Sequence, residues 1–420
     1  MPDQEMTAGY DRNLLWLLAQ RVVLLSIGVL YVLWIPRVLG PELFGSFTLL
    51  FSVLMGAMMF SELGAQSTLS RCVPRHSSLT GVLSRTYAYL QWSLALLLAV
   101  LGFGVGFVMR EGGVLSGLLF AGTVMLGCGG QIFYAVQLAK GHGARWGMGF
   151  VIRRLFGLFA VPLGLRWGGW AGMLAGLLLV EMVVLLVGVG WSRGDMRMRG
   201  RGLSRKRFLR LFRFGLDYQV AGGFLLLWRY AGEWSIKGLT GNTEYVGYYA
   251  LAMGIYVAAE SALQQLGVFS APYLRRAGSG EEMLRRLMRR SAWLFAPGGL
   301  GVVLSFWFRK PFVTLLAGEA YLPAADLLPW MAIALCVYLP VPLYQARLLS
   351  EGRSRYHRIT SCGRLLLFAL TVFPCVYFMN LQGIACAMLV SNLGYTASLA
   401  LGMDRNPLSA WSRRKAGSGY

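Results

Sequence analysis

The stretch YAVQLAKGHGARWGMGFVIRRL, Tyr134 to Leu155, is echoed further along the chain as YQARLLSEGRSRYHRITSCGRL, Tyr344 to Leu365. The two align without a gap. Tyr134 meets Tyr344, Leu138 meets Leu348, Arg145 meets Arg355, Trp146 meets Tyr356 and Arg154 meets Arg364. Each copy runs from one apolar segment through a basic loop into the next. Shortly afterwards GWAGMLA, from Gly169, is answered by GIACAML, from Gly383, and each opens an apolar run that follows a Pro-containing one (Pro162, Pro374). An earlier pair has the same relation: RVLGPELFGSF (Arg37 to Phe47) and KGLTGNTEYVGYY (Lys237 to Tyr249) share a Gly, a polar stretch with Glu42 or Glu244, a second Gly and an aromatic. A chain that repeats helix boundaries at this distance is built from two similar halves.

What the halves are made of follows from composition. The 420 residues are 56% hydrophobic and 14% charged, and mean hydropathy is +0.56, whereas soluble domains are about 25% charged. Apolar windows near the ~20 residues that cross a bilayer can be read twelve times. They cover 14–34, 44–66, 86–108, 114–138, 148–165, 170–189, 214–236, 245–270, 292–308, 324–344, 359–378 and 384–403. The expected fold is therefore an all-α polytopic membrane protein with about twelve spans in two six-helix bundles. Six is even, so the second half enters the membrane in the same orientation as the first, a parallel repeat about an axis along the membrane normal. The halves are 1–191 and 214–403, joined by a basic linker at 192–213 and followed by a tail at 404–420. The doubled Gly turn is expected to be a tight outer hairpin between the first two helices of each half.

The net charge of +22 raises the possibility of nucleic acid, but its distribution points elsewhere. Alternate loops hold twenty-nine Lys and Arg and the opposite loops six (Arg37, Arg110, Arg166, Lys237, Arg309 and Lys310). This is the positive-inside asymmetry, which places both termini in the cytoplasm and leaves no surplus that calls for nucleic acid. The first apolar run follows Asp3, Glu5 and Asp11 and continues into a second span, so a cleaved signal peptide is not expected. The six Cys show no CxxC pair or His at ligand spacing, which indicates neither a disulfide framework nor a metal site; no cofactor is expected.

Ionisable residues inside the apolar windows are few, among them Arg21, Arg153, Arg154, Glu181, Asp217, Arg229, Glu233, Glu260 and Arg364. An Arg near mid-bilayer costs about 2.5–3.5 kcal/mol, so these side chains are expected to face protein or a wet cavity, or to reach the headgroups by snorkelling. Arg153 is expected to snorkel. For Arg21, Arg154 and Arg364, each six to eight residues inside its window, both readings stand. Arg229 and Glu233 share a helix face at i,i+4, and Glu181 and Glu260 are possible partners for the arginines. Gln20, Gln91, Gln131 and Gln137 add polar groups.

Three stretches resemble a known family. RVLGPELFGSFTLLFSVLMGAMMFSELGAQSTLSR (Arg37 to Arg71) is similar to the first two helices of the polysaccharide and lipid-linked oligosaccharide flippases. WFRKPFVTLLAGEAYLPAADLLPWMAIAL (Trp307 to Leu335) resembles their outer loop with its Gly-Glu-x-Tyr, and GLTGNTEYVGYYALA (Gly238 to Ala252) the start of the eighth helix. Their superfamily also holds the multidrug and toxin extrusion (MATE) antiporters and the lipid II flippases. The resemblance implies a MATE-like fold and a flippase that moves a polyprenyl-diphosphate-linked saccharide across the cytoplasmic (inner) membrane by alternating access. The lipid-linked substrate, the bilayer and polysaccharide assembly enzymes would be its partners, and the protein would act as a monomer. On that reading Arg21, Arg154, Arg229 and Arg364 line a central cavity and bind the diphosphate through bidentate donors, with Glu233 orienting Arg229 and Gln20 in support.

Two other classes compete. A cation- or proton-coupled small-molecule antiporter of the same fold should carry more acids than bases in its cavity. A polysaccharide polymerase or glycosyltransferase needs acids, bases or metal ligands on the outer face. There the longest loop expected, Arg309 to Pro323, offers only Glu319, while His76, His142 and His357 all fall on the inner side. The expected protein is a transporter rather than an enzyme.

Overall fold

The computed structural model describes residues 2–73, 80–109, 113–196, 205–276, 289, 295–350 and 354–404. Among them the backbone is helical apart from short turns. The helices are α1 (Pro2–Glu62), α2 (Ala65–Cys72), α3 (Thr80–Val108), α4 (Gly113–Ala139), α5 (Gly143–Met196), α6 (Arg205–Thr240), α7 (Thr243–Arg276), α8 (Phe295–Ala317), α9 (Leu328–Tyr338), α10 (Val341–Ser350), α11 (Ser354–Met379) and α12 (Leu381–Asp404). A 3₁₀ segment, Glu319–Leu327, joins α8 to α9.

Nine helical stretches among the described residues are long and apolar enough to cross a membrane. Two of them, Ser26–Glu62 and Gly143–Gly194, have 37 and 52 residues, against the ~20 of one crossing; the second holds two of the apolar windows and the first covers parts of two. Their breaks are glycine-made. In α1 the helix is interrupted at Gly40 (φ 71°, ψ 168°) and resumes at Pro41, which suits a first helical position. In α5 it is interrupted at Gly168 and Gly169, the latter with φ 57°. The seventh window lies on α6, where Asp217, Arg229 and Glu233 dilute the apolar run; it is helical throughout but is not among the nine. The chain is a multi-pass, all-α membrane protein.

Two boundaries differ from expectation. The stretch from Arg309 to Pro323 is not an open loop: α8 continues through Pro311 to Ala317, and Gly318 (φ 93°) alone separates it from the 3₁₀ turn. The apolar run Phe312 to Ala317 accounts for this, because Val313 and Ala317 are buried and packing extends the helix past the proline. The basic linker is also partly helical, with α5 reaching Met196 and α6 starting at Arg205. Phe208 and Phe212 lie against Tyr87 with ring centroids 6.0 and 6.4 Å apart. The Thr68 hydroxyl donates to the Leu211 carbonyl at 3.2 Å, while Lys206 and Arg213 stay exposed.

By packing, the chain forms two compact units. The first comprises Met1–Ala258 with Lys310–Ala325, and the second Ala259–Arg309 with Asp326–Tyr420. These are drawn differently from the sequence halves, since 214–258 packs with the first half. The reason is visible in the doubled turn. A Cβ on Gly45 would lie 2.1 Å from the Thr243 carbonyl oxygen, and one on Gly247 would lie 2.0 Å from the Pro41 carbonyl oxygen. Each copy of the motif thus supplies the glycine that admits the other's backbone. The turn is written twice because the two copies pack reciprocally.

Candidate functional site

The deepest charges of the first unit fall into two groups. The first corrects the expectation for Arg153. Its Nε and Nη2 donate to Glu181 Oε1 and Oε2 at 2.7 and 2.8 Å, a bidentate pair in which the Glu181 side chain is only 3% exposed. Helical geometry explains why snorkelling loses. Glu181 comes from the second arm of α5 and lies beside Gly127 of α4. A fixed carboxylate in a low-dielectric bundle outcompetes headgroup water that a stretched arginine would only partly reach.

Arg154, one residue on, faces α1. Its Nη1 is 3.5 Å from the Leu24 carbonyl oxygen and would lie 3.0 Å from a Cβ on Gly28, so the missing side chain at Gly28 admits the guanidinium. It interacts electrostatically with Tyr31 of α1 and with Tyr230 of α6. Leu24, Gly28 and Tyr31 are spaced i, i+4, i+7 and form one stripe of α1, and the same register carries position 21. Arg229 and Glu233 also interact with Tyr230. Arg154 is eleven residues into α5 and Arg229 eleven from the end of α6, each roughly 16 Å along its helix at 1.5 Å per residue. That length is about half of a ~30 Å hydrocarbon core, and Arg154 is exposed.

Glu233 is 3% exposed, and its Oε2 has no hydrogen-bond partner. The expected orienting contact with Arg229 does not satisfy that oxygen. Tyr249 of α7 packs beside it and interacts with it electrostatically, while the neighbouring Trp234 turns to the other side and donates from Nε1 to the Ser52 hydroxyl at 2.8 Å.

Arg364 lies in the second unit and is 2% exposed. It donates from Nε to Asn392 Oδ1 at 3.0 Å and from Nη2 to the same oxygen. Its guanidinium carbon sits 5.3 Å from the Tyr338 ring centroid and 4.9 Å from that of Tyr395. Such a cation between two aromatic rings, with its donors on a buried amide, is a packed clamp. Arg153 and Arg364 thus do similar work: each reaches a partner 28 positions on, from a repeat's fifth span to its sixth.

Arg154 interacts with both Tyr31 and Tyr230, Arg229 and Glu233 interact with Tyr230, and Arg364 belongs to the second unit. The side chains of Arg21 and Gln20 lie outside the described residues. Sequence reasoning missed Tyr31, Tyr230, Gly28 and Asn392. The stripe of α1 was there to be found in the spacing of Arg21, Leu24, Gly28 and Tyr31; nothing comparable singles out Asn392. Among the described residues no group of three or more His, Cys, Asp or Glu is placed to hold a metal ion. What these residues offer chemically is two guanidinium groups and two phenol hydroxyls, suited to an anion with several oxygens, beside one buried carboxyl.

Comparison with known proteins fits this architecture. The family model described as polysaccharide biosynthesis protein matches residues 11–277. A comparison with curated sequences finds no significant match. Among solved structures, a point mutant of the Vibrio cholerae MATE transporter VcmN is 15% identical with a TM-score of 0.66, covering 97% of this chain and 98% of that one. An inward-facing multidrug resistance MATE family transporter of the MOP superfamily gives 14% and 0.71 over 94% and 96%. The lipid II flippase MurJ in an inward closed conformation gives 13% and 0.63 over 94% and 88%. With a MATE-like fold along nearly its whole length and the family model matching more than half of it, this chain belongs to the polysaccharide biosynthesis protein family.

Proposed function

We propose that the protein is a flippase that carries a polyprenyl-diphosphate-linked oligosaccharide across the cytoplasmic membrane by alternating access between two six-helix halves, with both termini in the cytoplasm. Arg154 and Arg229 hold the diphosphate, Tyr31 and Tyr230 donate hydroxyls to it or to the first sugar, and Arg21, at a position in the same register of α1, is a further donor. Arg364 is assigned the structural role its clamp suggests.

The observation that carries this reading is Arg154: an exposed guanidinium eleven residues into α5, set over Gly28 and interacting with Tyr31 and Tyr230. Left facing lipid it would cost about 2.5–3.5 kcal/mol, and the adjacent Arg153 is already committed to packing. A cationic substrate would not be drawn to such a site, which disfavours the drug-antiporter reading. The test is export of the saccharide in a deletion strain complemented with Arg154→Ala and Arg229→Ala at matched membrane abundance. Export should fall at least tenfold for each; normal export by both would end the proposal.

A further inference from the structure

The Gly-Glu-x-Tyr motif at Gly318–Tyr321 is not used by the site above, yet it has a built position. The segment Lys310–Ala325 belongs by packing to the first unit, while the residues on both sides of it in sequence belong to the second. Its two ends are tied together by an ion pair within the second unit, Arg309 Nε to Asp326 Oδ1 at 3.3 Å. Its body seats Tyr321, 1% exposed, on the reciprocal turn. The Tyr321 hydroxyl donates to the Pro36 carbonyl at 3.1 Å. Its ring meets Phe44 of one copy of the turn edge-on at 6.3 Å, and Tyr248 of the other at 6.1 Å. Arg37 donates to the Leu315 carbonyl, and Ala324 and Ala325 are fully buried. One side chain therefore touches both copies of the doubled turn.

We propose that Lys310–Ala325 is a strap closing the outer end of the first unit, with Tyr321 as its key, and that it must lift off the Gly40 and Gly241 turns for substrate to leave on that side. This rests on the flippase reading. Besides the buried side chains of Val313, Ala317, Ala324 and Ala325, the seat is held by two hydrogen bonds to backbone carbonyls and two ring edges. The left-handed Gly318 next to the 3₁₀ turn supplies a joint. The glycines at 45 and 247 belong to the interlocked turns beneath and stay in place when the strap moves.

Two measurements test it in a background where the six native Cys are replaced and export is retained. First, Ala324→Cys is labelled on intact spheroplasts with a membrane-impermeant maleimide. Labelling should be slow in the parent and several-fold faster with Tyr321→Phe, which keeps the ring and so the fold but removes the bond to Pro36. Equal rates would overturn the strap. Second, Arg37→Cys and Leu315→Cys are joined by a short, reducible bifunctional thiol reagent. Export should stop and return on reduction, whereas export by the joined protein at the parental rate would overturn the gate. Neither failure touches the flippase proposal, which falls only if Arg154→Ala and Arg229→Ala export normally.

Discussion

Glu181→Gln keeps the shape of the side chain in the Arg153 pair and removes only its charge. In the native protein the fork of Arg153 meets both carboxylate oxygens at 2.7 and 2.8 Å, so the charge centres are about 4 Å apart. At an effective dielectric of about 20 that separation corresponds to about 4 kcal/mol of attraction. The surroundings offer no replacement: the Arg153 side chain is 15% exposed and that of Glu181 3%. Removing one partner of a buried pair typically costs about 3–5 kcal/mol, while replacing both with apolar groups is often near neutral. We therefore expect Glu181→Gln to lose about 3 kcal/mol, and Arg153→Met with Glu181→Leu to lose less than about 1.5 kcal/mol. Arg153→Met alone should fall between them, because a carboxyl left without its partner can take up a proton and an arginine cannot lose one. Reversible unfolding by sodium dodecyl sulfate in mixed micelles reads these differences. A double variant as unstable as Glu181→Gln, or a Glu181→Gln protein as stable as wild type, would refute the reasoning.

Other predictions concern separate parts of the molecule. Gly247→Ala places a methyl 2.0 Å from the Pro41 carbonyl oxygen and should destabilise by about 1–3 kcal/mol through overpacking, seen as lost folded protein in size-exclusion profiles. Arg364→Lys loses the fork onto Asn392 and most of the interaction with Tyr338 and Tyr395. It should lower stability by about 2 kcal/mol while export per folded molecule stays unchanged, and an export defect at full stability would return Arg364 to the binding site. Tyr134→Phe deletes a 2.6 Å hydrogen bond to the Val184 carbonyl and should cost about 1 kcal/mol in the same unfolding assay. An alkaline phosphatase fusion after Arg205 should be inactive; activity there would invert the proposed topology.

The spans were legible because hydrophobicity and length alone decide whether a segment can cross a membrane, and each apolar window lies mainly on helical backbone wherever it is described. The breaks at Gly40 and Gly169 were legible for a similar local reason, since few other residues take those backbone angles. Partnerships between distant segments were not. Arg153 and Arg154 are adjacent and chemically identical, but successive helix positions point about 100° apart; one meets Glu181 and the other Gly28, and no local signal says which. The stretch Arg309 to Pro323 looked like a loop because of its charges and prolines, yet burial of Val313, Ala317 and Tyr321 orders it. The doubled turn was visible as a repeat, but its reciprocal packing requires three dimensions.

The central claim is that Arg154 and Arg229 hold a diphosphate, and Arg→Lys exchange tests it most directly. Lysine keeps the charge and loses the planar fork of donors, so a bidentate phosphate site and a charge merely reaching headgroups respond differently. Purified protein in nanodiscs, titrated with a polyprenyl diphosphate and read by tryptophan fluorescence, gives the affinity independently of export. The account predicts that Arg154→Lys and Arg229→Lys each weaken binding at least tenfold, with stability unchanged and with little effect on a polyprenyl monophosphate. Wild-type affinity for the diphosphate in both lysine variants would contradict it.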